Sequence, residues 1–239
     1  MRTKLLKTPV GKDKARSPAS ANRYMSVLSH ALNVAVREWE WLEDSPMRKI
    51  SKLKEDNAIV RFLDDDERGR LLEACKESEL SVLYTVVVLA ISTGARKMEV
   101  MGLTWRDVDL QKGVIRLTKT KNKEARVLPI KGHAADLVKE LSKVRRLDTD
   151  LLFPGGNPQT PIEISKPWYA ALETAEIENF RFHDLRHTAA SYLAMNGATL
   201  AEIADILGHK TLQMVKRYAH LSEPHTASVV EKMNEKIFN

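Results

Sequence analysis

Apolar residues recur along most of this chain at the three- and four-residue spacing that places them on one face of a helix. Tyr24, Val27, Leu28, Ala31, Ala35 and Trp39 follow that spacing and predict a helix from Ser20 to about Leu42, ended by Asp44-Ser45-Pro46. The segment Pro46 to Arg61 is polar and charged and reads as a linker. Asp64, with Glu67 three residues on, supplies a capping-box start for the next helix. From Leu80 to Thr93 the chain is apolar nearly all round, which predicts a helix at the centre of a second domain, stopped by Gly94. The period then changes. Val114 to Thr118 and Arg126 to Ile130 are short β-branched runs around a basic stretch, and together they predict a hairpin. Helical spacing returns near 133–145, 165–177, 184–195, 199–207 and 211–219. A last amphipathic helix runs from about Thr226 to Ile237 through Val229, Val230, Met233 and Ile237. The expected fold class is mainly α with a small antiparallel β-sheet (α+β).

Composition narrows the setting. At 239 residues and 43% apolar content the chain can bury a real core in one large or two smaller domains. The longest apolar run, Val86 to Ile91, is far too short for a membrane span, and the N-terminus lacks a signal-peptide core. Cys75 is the sole cysteine, which points to a reducing cytoplasm. The net charge of +6 is unevenly placed: residues 1–60 carry 12 Lys/Arg against 7 Asp/Glu. Residues 112–131 carry seven Lys/Arg against the single acid Glu124. A basic front end and a basic hairpin suit a polyanion such as nucleic acid, although a solvated basic surface explains charge alone as well.

The chemistry concentrates late in the chain. His183-Asp184-Leu185-Arg186-His187, then Gly208-His209-Lys210, then Lys216-Arg217-Tyr218 follow one another, with Arg96 far upstream. Two histidines and an arginine ahead of a tyrosine can hold one phosphodiester, donate to its oxygens and attack its phosphorus with a phenol. A phenol with a pKa near 10 needs a base and fixed cations for that. On a helix His183 and Arg186 share a face. His183 and His187 could instead ligate zinc, but the zinc-protease form needs glutamate where Asp184 stands, and no third ligand is placed. Glu99 is spaced to orient Arg96. Lys119, Lys121 and Lys123 at the hairpin tip are interchangeable phosphate contacts on spacing alone.

Taken in that order, Arg96, the basic hairpin, the His-x-x-Arg pair, Gly-His and the late tyrosine closely resemble the tyrosine recombinase (phage integrase) family. The similarity runs from about Ser17 to the C-terminus. The resemblance implies that Arg96 and Arg186 grip the scissile phosphate and that His183 is the acid/base partner of the tyrosine. It makes His209 a phosphate donor, Lys121 the general acid (on its distance before Pro129) and Tyr218 the nucleophile, with Glu99 and His187 in support. DNA contacts fall to Arg23, Lys119, Lys123, Arg126 and Lys210. Residues 18–60 resemble the latter part of the family's helical core-binding domain and its linker, behind a flexible basic leader at 1–17. Phe62-Leu63-Asp64-Asp65-Asp66-Glu67 resembles the start of the catalytic domain, set at 61–239. Family members usually have further residues ahead of this helix, so the core-binding region is expected to be partial. The implied activity is site-specific strand cleavage and rejoining of double-stranded DNA through a 3′-phosphotyrosyl link, with no cofactor and no metal. The implied partners are further copies of the chain, as a tetramer exchanging C-terminal helices on DNA, and accessory DNA-bending proteins. Competing readings are a type IB topoisomerase, a non-catalytic DNA-binding remnant and a zinc hydrolase.

Overall fold

A computed structural model describes residues 15–55, 61–117 and 125–238, and the chain divides into two units, Met1–Ile59 and Val60–Asn239. Most of the expected leader, and Lys119, Lys121 and Lys123 at the hairpin tip, lie outside the described residues.

The first unit is built on α1 (Pro18–Arg37). Ser17 accepts from the amide of Ser20 at 3.2 Å, and Pro18 occupies the first turn, where no amide is needed. The helix stops at Arg37 rather than at Leu42. Glu40 takes a left-handed φ of 54°, and the amides of Trp39 and Trp41 turn back onto the carbonyls of Val34 and Ala35. The buried face is Ala21, Asn22, Met25 and Ala35, rotated from the expected stripe, so Tyr24 and Val27 are exposed. Asn22 explains the rotation. Its amide group donates to the Leu53 carbonyl and its oxygen accepts from the Leu53 amide, both at 2.9 Å, which docks the linker along that face.

The second unit begins with α2 (Asp65–Lys76), whose capping box is formed as expected: the Glu67 amide donates to Asp64 at 2.8 Å. The next helix, α3 (Leu83–Thr93), is the centre of the core, with Leu83, Val86, Val87, Leu89 and Ala90 all fully buried. It ends on Gly94 in the left-handed region, φ 61°. A short helix that periodicity does not reveal, α4 (Lys97–Met101), follows at once. The hairpin gains an extra edge: β1 (Val108–Asp109), β2 (Val114–Leu117) and β3 (Arg126–Pro129) form an antiparallel sheet in that order, with Ile115 opposite Val108 and Leu128.

Helices α5 (Gly132–Lys143) and α6 (Ser165–Thr174) end earlier than the spacing suggests. Helix α7 (Asp184–Met195) packs against α3, and its buried residues Thr188, Ala189, Ala190 and Ser191 are small enough to permit close approach. Helix α8 (Leu200–Leu207) carries a Thr199–Glu202 capping box and ends on Gly208, φ 63°. The helix expected at 211–219 is two 3-10 segments, Leu212–Met214 and Lys216–Ser222. Amides three residues on bond back, Val215 to Leu212 and Tyr218 to Val215 at 3.1 and 2.9 Å. That geometry brings positions i and i+3 to one side, and Val215 and Tyr218 are both buried. The last helix is α9 (Glu223–Phe238). No helix among the described residues is long and apolar enough to cross a membrane.

Candidate active site

Two helices end on left-handed glycines, and both ends face one arginine. At the end of α8 the His209 amide bonds to the Ala204 carbonyl and the Gly208 amide to Asp205, the pairing of a Schellman motif. That motif leaves the Leu207 carbonyl without a helical partner. Arg186 donates Nη2 to it, and donates Nη1 to the Gly94 carbonyl at the end of α3, at 2.7 Å. Helix C-termini carry partial negative charge, so both ends favour a cation. Arg186 is thereby held at 4% exposure, and an arginine still has donors to offer an anion.

Arg96 caps α4, and Glu99 holds it twice, accepting from its amide at 2.8 Å and from its Nη1 at 2.7 Å. The orienting role expected of Glu99 and a simple helix-start ion pair are here the same contact. The same carboxylate accepts from Arg126 Nη2 at 2.7 Å, and Arg126 Nη1 reaches the Leu207 carbonyl that Arg186 also uses. Two guanidiniums therefore share the Glu99 carboxylate, and two share the Leu207 carbonyl. Burial would raise Glu99, but hydrogen bonds from Arg96 and the charges of Arg126 and Arg96 hold it below the usual carboxylate range. Burial, with the charges of Arg96 and Arg126, pushes Arg186 down to about 9. The cluster has more positive charge than it can satisfy internally, which is the condition an incoming phosphate relieves.

Tyr218 is 1% exposed and packs with Ala190, Ala194, Ile203, Ala204, Leu207 and Val215. Its hydroxyl meets Nδ1 of His187 at 2.6 Å. The resemblance made His183 the phenol's partner; in the structure the partner is His187, one helical turn further along. His187, Ala190 and Ala194 lie on one face of α7, and that face receives the tyrosine. His183 occupies the N-cap position, with its ring edge-on to His187 at 5.6 Å. Burial, then the neighbouring His183, pushes His187 down to about 4, so its imidazole is neutral at pH 7. Burial raises the Tyr218 phenol, while the charges of Arg217 and Arg186 pull against it. Asp184 is kept ionised at the start of α7 by Arg181, whose hydrogen bonds outweigh the effect of burial.

His209 follows the Gly208 turn. Burial and the charges of Arg186, Arg96 and Arg126 push it down to about 4, and its Nδ1 is buried with no partner among the described residues. A half-buried ring aimed among arginines with a free nitrogen is suited to a phosphate oxygen. Lys210, next in the chain, is exposed, as is Arg23 in the first unit. Arg126, expected as a DNA contact, has a side chain 10% exposed and bonded inside the site. The alternation of β3 could have shown this, because Arg126 shares a face with the buried Leu128. No group of three His, Cys, Asp or Glu side chains suited to a metal occurs among the described residues.

A mostly helical unit with a small sheet thus places an arginine spanning two helix ends near a tyrosine hydroxyl held by a histidine. The chain belongs to the phage integrase family, whose family model matches residues 61–225. It is 32% identical to the integrase of Salmonella phage P22 over 229 residues, covering 91% of this chain. The chain spans 58% of that protein's length, little more than half. The catalytic domain of bacteriophage HP1 integrase superposes with a TM-score of 0.58 at 31% identity, over 72% of this chain and 95% of that one. The Tn1549 transposon integrase, in complex with a circular intermediate DNA, shares the fold at a TM-score of 0.75 and 18% identity, over 91% of this chain and 80% of that one.

Proposed function

We propose that this chain is a site-specific recombinase that cleaves and rejoins double-stranded DNA through a covalent bond to Tyr218. The observation that carries the reading is the 2.6 Å contact between the Tyr218 hydroxyl and His187, on the same helix as the buried Arg186. The phenolic oxygen attacks phosphorus, forming a 3′-phosphotyrosyl bond as the bond to the 5′ oxygen breaks. The neutral His187 accepts the phenol's proton, and a lysine of the hairpin tip, Lys121 on the family pattern, protonates the departing oxygen. Arg96, Arg186 and His209 stabilise the charge on the non-bridging oxygens. A 5′ hydroxyl from a partner strand then attacks the same phosphorus and restores the phenol. Because the covalent link conserves the phosphodiester, the cycle consumes no nucleotide, and the arginines supply the charge that metal ions supply in other phosphoryl transfers.

Residues 18–60 are read as a partial core-binding region that brings Arg23 to DNA, and 61–239 as the catalytic domain. The apolar side chains of α9 support assembly on DNA: Val229, Val230, Met233 and Ile237 are 47–62% exposed, so they are not covered by their own domain. Exchange of that helix between subunits of a tetramer would bury them, with DNA-bending proteins as further partners. Action on DNA in a reducing cytoplasm accords with the lone buried Cys75.

The test is a nicked suicide duplex incubated with the full chain in EDTA. A Tyr218-dependent protein–DNA adduct is expected, and Tyr218→Phe should abolish it while leaving binding within about twofold. An adduct that persists in the Phe variant would overturn the assignment. Binding with no adduct from the wild type would favour a protein that only occupies sites, and relaxation of supercoils lacking recombination sites would favour a topoisomerase.

A further inference from the structure

Arg126 makes as many side-chain hydrogen bonds inside the site as Arg186, and each goes to an acceptor that holds another arginine. Its Nη2 donates to Glu99 at 2.7 Å, and Glu99 is the residue that fixes Arg96. Its Nη1 donates to the Leu207 carbonyl, the acceptor that also fixes Arg186. Its side chain lies so close to Gly208 that a Cβ there would strike the guanidinium, and Gly208 is the residue before His209. The side chain is 10% exposed and its Nε is buried without a partner. Both amino groups are committed to protein acceptors, so the guanidinium is not disposed as a surface contact to DNA.

We propose that Arg126 is a positioning residue that fixes Arg96, Arg186 and His209 as one unit. It also ties that unit to the strand that follows the basic segment holding Lys119, Lys121 and Lys123. This inference rests on the strand-cleavage reading. Arginine is required for geometric reasons: a planar fork spans a carboxylate on one side and a carbonyl on the other, whereas a lysine offers one compact charge. Gly208 then has two tasks, because it closes the helix end and leaves the space that Arg126 fills. Without Arg126, the Leu207 carbonyl keeps one donor and Glu99 keeps Arg96, so the unit survives but loses its cross-brace.

The experiment compares wild type, Arg126→Met and Arg126→Lys as full chains on the suicide duplex, measuring DNA binding, single-turnover adduct formation and melting temperature. Misplacement of a catalytic group by about 1 Å costs on the order of 10²-fold in rate. Adduct formation should therefore slow about 100-fold in Arg126→Met and at least about 10-fold in Arg126→Lys, with binding within about twofold for both. Restoring the charge as lysine should thus fail to restore the rate. Wild-type rates in a folded variant would overturn the proposal, as would binding that weakens in step with the rate, which would mark a DNA contact. If Arg126→Met does not fold, Arg126→Lys decides; loss of folding there too would make the role purely structural and overturn it. Absence of any adduct from the wild type would instead remove the strand-cleavage reading.

Discussion

The arginine side of the site and the tyrosine side are held in opposite ways. Arg186 is bound by two backbone carbonyls at the ends of two core helices, and Arg96 and Arg126 are locked to one buried carboxylate. Tyr218 sits in a run of 3-10 turns, and among the described residues its hydroxyl has a single hydrogen-bond partner, His187. Backbone acceptors cannot rotate away, so the charges that the proposed reading turns toward phosphate are fixed before any ligand arrives. A 3-10 segment has weaker hydrogen bonds and shifts at lower cost. The contrast suits a reaction in which the phosphate must be gripped in one place while the nucleophile comes and goes.

The sharpest way to break that comparison is to remove the rigid partner. Arg186→Met should slow adduct formation about 10²–10³-fold, the usual cost of losing one fixed donor to a developing charge. Its melting temperature should fall only modestly, because the lost hydrogen bonds to Gly94 and Leu207 are partly offset by removing a charge that burial works against. A large drop in melting temperature with an unchanged rate would show that Arg186 is a structural brace only.

The tyrosine side can be probed through protons. Burial pushes His187 and His209 down to about 4, below the ordinary imidazole value of about 6.5, so the folded protein holds them neutral at pH 7. Unfolded chains take up these protons first as pH falls, so the stability they permit is complete above about pH 6.5 and is lost progressively toward pH 4. Melting temperatures measured from pH 7.5 to 4.5 should fall across that window. His187→Ala should flatten part of the slope, and at pH 7.5 it should cost about 1–3 kcal/mol, because a buried phenol is left unpaired. An unchanged slope would mean that His187 is solvated in solution.

The smallest effect on the fold is expected from the C-terminus. Removing residues after Ser222 should leave the monomer's melting temperature nearly unchanged and weaken multi-subunit assembly on DNA, read by sedimentation of the complexes. An unfolded truncated protein would show that α9 completes its own domain.

What the sequence disclosed follows from the range of each interaction. Local devices were legible: the Asp64–Glu67 box, the Gly94 stop, and helices α7 and α8 fall where spacing and caps place them. The segment 211–219 was misread as one helix because an i, i+3 apolar pattern serves α and 3-10 geometry alike. The order of Arg96, His183, Arg186, His209 and Tyr218 was visible, but not which histidine meets the phenol, since that depends on the face of α7 that Tyr218 covers. Arg126 is expected as a DNA contact, and its place inside the site is not visible in the order of motifs. Its contacts with Glu99 and Leu207 span 27 and 81 positions of sequence, beyond any local pattern.

The meeting of two helix ends at one guanidinium makes the catalytic pocket a gauge of the hydrophobic interior. Trimming a side chain on the inner face of α3, such as Leu89, would let that rod settle, and the carbonyl it extends toward Arg186 would settle with it. Substitutions remote from DNA should therefore surface as slow chemistry in protein that still folds.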